Sequence, residues 1–258
     1  MAVSVADRIS PPQAIRHVTS PVLILRSVMF NAAFYLTLVI YLAAAIPTFV
    51  LPRSAIIAVA KSWARTNLRL LRWICGIGVE WRGLDNIPPG PLLVASKHQS
   101  VWETFALLPL FADPTFIVKR ELMWLPFFGW YMWKGAMVPV DRGARSQALV
   151  RMSARAAIEV RRGRQLIIFP EGTRRPPGAQ PAYKFGVAHL YAETGVPCLP
   201  IALNSGVVWG RRSFVRRPGT VCVEILKPIE PGLDKPVFFE RLQQEIEGAS
   251  AKLIGGCP

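Results

Sequence analysis

Between Ser27 and Pro52 this chain carries no charged residue, yet the whole sequence holds 31 Lys and Arg against 16 Asp and Glu. That contrast limits what the chain can fold into. An uncharged run from Val28 to Leu51, if helical throughout, is long enough for the roughly 30 Å hydrocarbon core of a bilayer. Pro47 is expected to end or kink it. The run starts too far from the N-terminus and is too long for an ordinary signal peptide. With 52% hydrophobic residues and a mean hydropathy of +0.31, the chain is too apolar for a typical soluble domain. A net charge of +15 on such a chain points to anionic lipid headgroups, where each basic residue contributes about 1 kcal/mol. Nucleic acid is the competing partner for that charge; the apolar excess and the absence of a nucleic-acid-binding motif argue against it.

After Arg53 a second helix is expected, with Lys61, Arg65, Arg69 and Arg72 forming one basic stripe beside Ile57, Ala60, Ala64, Leu68 and Leu71. Such a helix suits the membrane interface, its cations on phosphates. Arg8, Arg16 and Arg26 favour the cytoplasmic side, and so do the basic residues after Arg53. A hairpin dipping into one leaflet satisfies both. The expected division is therefore a membrane-anchoring segment, residues 1–76, and a catalytic domain, residues 77–258.

Beyond Gly78 apolar runs alternate with helical periodicity. Strands are expected at Leu92–Ser96, Thr115–Val118, Met137–Val140, Leu166–Phe169, Leu199–Leu203 and Val221–Ile225, with helices at Trp102–Leu110, Ser146–Arg162, Lys184–Glu193 and Pro236–Glu247. This is an α/β pattern, one sheet with helices on its faces. Cys75, Cys198, Cys222 and Cys257 have no paired metal spacing and suggest no disulfide framework, so a reducing compartment is the default. No metal or cofactor is expected.

Two strings carry chemistry: Lys97-His98-Gln99-Ser100-Val101-Trp102-Glu103 and Phe169-Pro170-Glu171-Gly172-Thr173-Arg174-Arg175. A histidine with a carboxylate nearby is the pairing a general base needs. Five helical residues turn through about 500°, so the two side chains would diverge inside one helix. His98 must therefore lie in the turn before it, folding back to meet Glu103. The same string is also a capping box, in which Glu103 reaches back to the Ser100 N–H. The second string places a glycine turn and a guanidinium after an apolar strand, an arrangement suited to an anion, though it also reads as an ordinary turn. His17 lies before the membrane segment and His189 within an expected helix, where a structural role is the expectation, and no G-x-S-x-G elbow occurs.

Taken together, these blocks resemble those of the 1-acylglycerol-3-phosphate O-acyltransferase family, within the wider glycerolipid acyltransferases. The H-x-x-x-x-D block is similar to His98 with Glu103 in the acid's place, and F-P-E-G-T-R stands complete at Phe169 to Arg174. Lys119, Leu122, Pro126, Gly129 and Arg142 resemble the second block; Val196-Pro197-Cys198-Leu199-Pro200-Ile201 resembles the last. The resemblance implies a mixed sheet with both motifs along one edge, preceded by a membrane-embedded two-helix motif. It implies acyl transfer from acyl-CoA or acyl carrier protein to the sn-2 hydroxyl of lysophosphatidic acid, at the cytoplasmic face of the inner membrane. His98 and Glu103 would be catalytic. Arg174 and Lys119 would hold the acceptor phosphate, Glu171, Gly172 and Thr173 would shape the pocket, and oxyanion donors are expected near the helix start. The aromatic stretch Met123 to Trp133 would anchor the domain, line an acyl-chain tunnel or simply pack. Another acceptor (glycerol-3-phosphate, a lysophospholipid or a lyso-amino-acid lipid) and a non-catalytic membrane-binding protein are the alternatives.

Overall fold

A computed structural model describes residues 20–141, 146–255 and 257. Arg8, Arg16, His17 and Arg142 lie outside them. The first helix, α1 (Pro21–Ala44), starts earlier than the uncharged run, because Ser20 accepts the Leu23 N–H and Pro21 occupies a position where its missing donor costs nothing. It also ends earlier, and Pro47 falls in a short 3-10 turn, Ile46–Phe49. The chain then doubles back as α2 (Arg53–Leu70), antiparallel to α1. Polar side chains zip the two together: Thr37 donates to Asn67, and the Tyr41 hydroxyl bonds Ser62 and Thr66. On α2 and the wider helical turn that continues it, Leu71–Cys75, the cations Arg65, Arg69 and Arg72 are exposed, while Ile57, Ala64 and Leu71 are buried.

The sheet follows: β1 (Ile77–Arg82), β2 (Leu92–Ser96), β3 (Pro114–Lys119), β4 (Val138–Val140), β5 (Gln165–Ile168), β6 (Cys198–Leu203) and β7 (Gly219–Ile225). Their order is β1-β7-β6-β2-β5-β3-β4, parallel throughout except that β6 meets β7 antiparallel. The mixed sheet expected above is present. Interleaved are α3 (Trp102–Ala106), α4 (Phe128–Lys134), α5 (Ser146–Arg161), α6 (Gly186–Thr194), the single turn α7 (Ser205–Val208) and α8 (Lys235–Ile254). The edge strand β1 and the aromatic helix α4 were not among the expected elements. Strands β2 and β6 are buried on both faces, as parallel strands between helical layers must be. On one face α5, α6 and α8 supply Met152, Ala156, Leu190, Phe238 and Leu242. On the other, Phe30 and Phe34 of α1, Trp63 of α2 and Phe105 of α3 pack together with Trp209.

A buried guanidinium ties the layers. Arg164 donates to the carbonyls of Pro114, Gly135 and Ala136 and pairs with Glu159 at 2.8 Å and Asp113 at 3.3 Å; Arg53 reaches the same Asp113 at 2.6 Å. The sequence reading also needs one correction. Cys257 returns to β7 and forms a disulfide with Cys222, their Cα atoms 5.8 Å apart, because the end of α8 packs against Ala202 and Cys222. Cys75 and Cys198 are free and buried.

Candidate active site

Four neighbouring parallel strands, in the order β6, β2, β5 and β3, end along one edge of the sheet. The loops beyond their carboxyl ends form the crevice where ligands bind in open α/β sheets. Because Ala95 of β2 pairs with Ile168 of β5, His98 and Phe169 emerge side by side although the two motifs lie far apart in sequence. Their rings stack with centroids 4.1 Å apart.

His98 Nδ1 lies 2.9 Å from Glu103 Oε1. A carboxylate there takes the Nδ1 proton as a hydrogen bond and leaves the lone pair on Nε2, the tautomer a base requires. Glu103 is fully buried and richly satisfied. Its Oε1 also accepts the N–H groups of Gln99 (2.6 Å) and Ser100 (2.7 Å), and its Oε2 accepts the Ser205 hydroxyl at 2.8 Å. The helix cap and the histidine partner are thus one carboxylate doing both jobs. Three N–H groups at the start of α3 are correspondingly committed, Gln99 and Ser100 to Glu103 and Trp102 to the Ser100 hydroxyl, whereas that of Val101, which lines the apolar cavity beginning at His98, has no partner among the described residues. These three therefore cannot serve as the oxyanion donors expected at the helix start.

After β5 the chain turns sharply. Gly172 donates to the Phe169 carbonyl and sits at φ +65°, a left-handed conformation that only glycine adopts cheaply. The Arg175 N–H bonds the His98 carbonyl at 2.8 Å, which stitches the two motifs together. Glu171 points inward: it is buried, its Oε1 accepts Lys97 Nζ at 2.9 Å and its Oε2 accepts the His98 N–H at 3.2 Å. Burial raises its carboxyl above the usual range, opposed by the Lys97 ammonium and the His98 amide. Thr173 is exposed and Arg174 half-exposed. Among the described residues the Arg174 guanidinium and the Thr173 and Arg174 N–H groups have no hydrogen-bond partner or ion pair. Arg175, by contrast, donates to the Gln180 carbonyl. Lys119 ends β3, about half exposed and 3.0 Å from Glu121.

From His98, Phe169 and Lys119 an apolar cavity of about 460 Å³ runs between α1, α2, α3 and α4. Leu38, Tyr41, Leu42, Ile57, Trp63, Phe105, Tyr131 and Met132 are among its walls. Its volume falls within the roughly 300–1,000 Å³ of ligand pockets. His189 lies elsewhere, against Phe185 and near Lys235.

The acyltransferase family model matches residues 78–204, the stretch holding both motifs and Lys119 but neither the hairpin nor Ser205. A 1-acyl-sn-glycerol-3-phosphate acyltransferase of Pseudomonas aeruginosa is 36% identical over 189 residues, covering 73% of this chain and 74% of that one. The chain belongs to this family. The alpha enzyme of Homo sapiens is 32% identical over 232 residues, covering 84% of this chain and 79% of its own. The fold is that of the 1-acyl-sn-glycerophosphate acyltransferase PlsC of Thermotoga maritima, at a TM-score of 0.75, 23% identity, 91% of this chain and 98% of that one.

In this acyltransferase several residues around the motifs carry no local sequence signal. Ser205 is one, visible only as a hydroxyl two residues past the strand beside β2. Gly206 is another: its N–H bonds Gln99 Oε1 at 3.0 Å, and a side chain there would meet Pro177 and Gln99 at 2.8 and 2.9 Å. Lys97 and Glu247 are the others, the second 150 positions from the first.

Proposed function

We propose that this acyltransferase moves a fatty acyl group from an acyl-CoA or acyl carrier protein thioester to the sn-2 hydroxyl of 1-acylglycerol-3-phosphate, giving phosphatidic acid. The observation that carries the reading is the His98–Glu103 pair, 2.9 Å apart, at the head of an apolar cavity. His98 Nε2 takes the hydroxyl proton as that oxygen attacks the thioester carbonyl, and Glu103 stabilises the resulting imidazolium. The tetrahedral intermediate collapses with loss of the thiolate, which takes the proton back from His98. No acyl-enzyme forms. The uncommitted N–H groups of Thr173 and Arg174 are the donors we assign to the oxyanion, and the unpaired Arg174 guanidinium holds the acceptor phosphate through its fork of donors. Lys119 adds a second, more mobile charge, while Glu171 and Gly172 keep the turn in shape. One acyl chain occupies the apolar cavity.

Membrane attachment by one leaflet is the reading that the way α1 is held supports. By length and composition α1 is apolar enough to cross a bilayer. Near its start, however, Ser27 Oγ accepts the Arg216 N–H and Asn31 accepts the Arg216 guanidinium; near its end the Leu42 carbonyl accepts the Tyr131 hydroxyl. Both partners belong to the catalytic domain. A helix tied at both ends to one domain lies along it instead of leaving it, and its outer face, with Leu25, Leu36, Val39 and Ile40 exposed, is the lipid-facing one. The cytoplasmic face suits both donor and charge.

The reading is tested with the full chain in detergent, labelled acyl-CoA and acyl carrier protein donors, and a panel of lysophosphatidate, glycerol-3-phosphate, lysophospholipid and lyso-amino-acid lipid acceptors, with His98→Ala as the blank. Phosphatidic acid formed by the parent and lost in the blank is the expected result. Transfer only to acceptors lacking a phosphomonoester, or an active His98→Ala, would overturn it.

A further inference from the structure

Directly before the catalytic histidine stands a lysine that has no business in solvent. Lys97 is 2% exposed, and its ammonium lies 2.9 Å from Glu171 Oε1 and 2.5 Å from Glu247 Oε1, above the Tyr183 ring at 5.9 Å. A buried ammonium is costly unless paired, and here it is paired twice. The pairing also runs in an informative direction. Glu171 belongs to the phosphate-side turn, Lys97 to the loop of the base, and Glu247 to α8, an element outside both motifs. The remaining oxygen of Glu171 accepts the His98 N–H, while the Lys97 N–H bonds the Ile201 carbonyl within β6. One cation therefore joins two strand-end loops and the last helix. Remove it, and Glu171 and Glu247 become two carboxylates facing one another in a buried space.

We propose that Lys97 and Glu247 are positioning residues for acyl transfer: the Glu247–Lys97–Glu171 chain uses helix α8 to fix His98 and the Thr173–Arg174 turn at the distance the reaction needs. Neither residue touches substrate. Their effect reaches the reacting atoms through Glu171, whose two oxygens hold the side chain of one loop residue and the backbone of the next. This deepens the proposed acyl-transfer function and rests on His98 being the base. Misplacing a base by about 1 Å is enough to cost on the order of 100-fold in rate. The turn that carries Arg174 hangs from the same carboxylate, so the acceptor is affected with it. The acyl donor's chain, placed in the apolar cavity that none of Lys97, Glu171, Arg174 and Glu247 lines, is not. That asymmetry separates positioning from general loss of fold.

The test uses the full chain in detergent, with Lys97→Met, Lys97→Arg, Glu247→Gln and the double variant Lys97→Met/Glu247→Gln, each with rates normalised to folded protein. Lys97→Met should lower kcat by about 10- to 100-fold and raise the acceptor KM, with the donor KM within about twofold of the parent. Lys97→Arg, which can still bridge two carboxylates, should recover most of the rate. Glu247→Gln should lower it severalfold, and the double variant should be no slower than Lys97→Met alone, since both break one linkage. Parent kcat per folded Lys97→Met molecule, donor and acceptor KM rising together, or losses that multiply in the double variant would each overturn the proposal. Should Lys97→Met fail to fold, Glu247→Gln decides alone, because its carboxylate is partly exposed and its loss leaves Lys97 paired to Glu171. A parent-like rate in that variant then refutes the role of α8. His98→Ala is measured alongside: an inactive His98→Ala beside an unaffected Lys97→Met condemns only this proposal, whereas an active His98→Ala condemns the function it rests on.

Discussion

The strand-end cluster and the exposed apolar side of the hairpin and α4 are built on opposite principles. In the cluster both charges of the first motif, and Glu171 of the second, are buried and answered: Glu103 by four donors, Lys97 by two carboxylates, Glu171 by an ammonium and an amide. Such fully satisfied networks rigidify a site, and the same low dielectric would make any missing partner expensive. On the hairpin and α4 the reverse holds. On their outer side Val50 is 89% exposed and Trp133 69%, as are Trp124 (74%) and Phe127 (63%) just before α4, while the directional contacts, Thr37 to Asn67, Tyr41 to Ser62 and Thr66, Tyr131 to Leu42 and Lys134 to the Phe49 and Leu51 carbonyls, hold the elements to one another. Chemistry that depends on tenths of an ångström sits where directional bonds are dense. Handling of a flexible chain sits where only apolar area matters, so changes in the two regions should differ in kind.

The largest effect is expected in the cluster. Glu103→Gln keeps the volume and a carbonyl oxygen for the Gln99 and Ser100 N–H groups, and its amide can donate to the Ser205 hydroxyl in place of accepting from it. Only the charge beside His98 is lost. Turnover should fall by about 10²–10⁴-fold with the melting temperature nearly unchanged. Glu103→Asp should retain more activity than Gln. A Gln variant as fast as the parent at saturating donor and acceptor would reduce Glu103 to a helix cap and dissolve the contrast between the regions.

How much of this was readable in the chain follows the same divide. His98 and Glu103 could be paired on paper because the constraint is local: a turn, a helical pitch and five residues. Strands β2 and β5 announced themselves as continuous apolar runs, and their parallel adjacency is what α/β alternation implies. Ser205 and Glu247 were not readable, since each reaches the site through a strand order and a helix docking that no local pattern encodes. Helix α4 was missed for another reason. Its residues are mostly aromatic on both sides, so the periodicity that marks a helix is erased, although Phe128, Tyr131 and Met132 line the cavity while Trp130 and Trp133 face outward. The earlier start of α1 depends on Ser20 and Pro21, capping residues that lie ahead of the uncharged run.

A smaller, more selective effect is expected at the edge of the cluster. Arg174 is the one cation of the second motif left without a protein partner among the described residues, whereas Arg175 is held by Gln180. A charge-assisted contact to phosphate is worth about 1.5–3 kcal/mol. Arg174→Ala should therefore raise the acceptor KM by roughly 10- to 150-fold, with the donor KM changing little. Equal changes in both would move the phosphate away from this turn. A large fall in kcat with unchanged acceptor KM would instead give Arg174 to the oxyanion.

The smallest effect belongs to the apolar side and should leave chemistry untouched. Trp130 and Trp133 lie three positions apart on the outward face of α4, 56% and 69% exposed, and tryptophan favours the bilayer interface. Neither lines the cavity, whose α4 wall is Phe128, Tyr131 and Met132. Replacing both with serine therefore removes interfacial area without opening the tunnel or touching His98. Partial burial of such a side chain contributes about 1 kcal/mol, less than the 1.5–3 kcal/mol of full burial. The Trp130→Ser/Trp133→Ser variant should lose roughly tenfold or more in partitioning to anionic vesicles, read by co-sedimentation, yet keep parental kcat and KM on acceptor dispersed in detergent. Unchanged co-sedimentation would leave the hairpin, with Val50 and the outer face of α1, as the sole anchor. Loss of turnover in detergent would show that α4 shapes the acyl chain's path as well as the membrane contact, and the line between the two regions would then run through α4 itself.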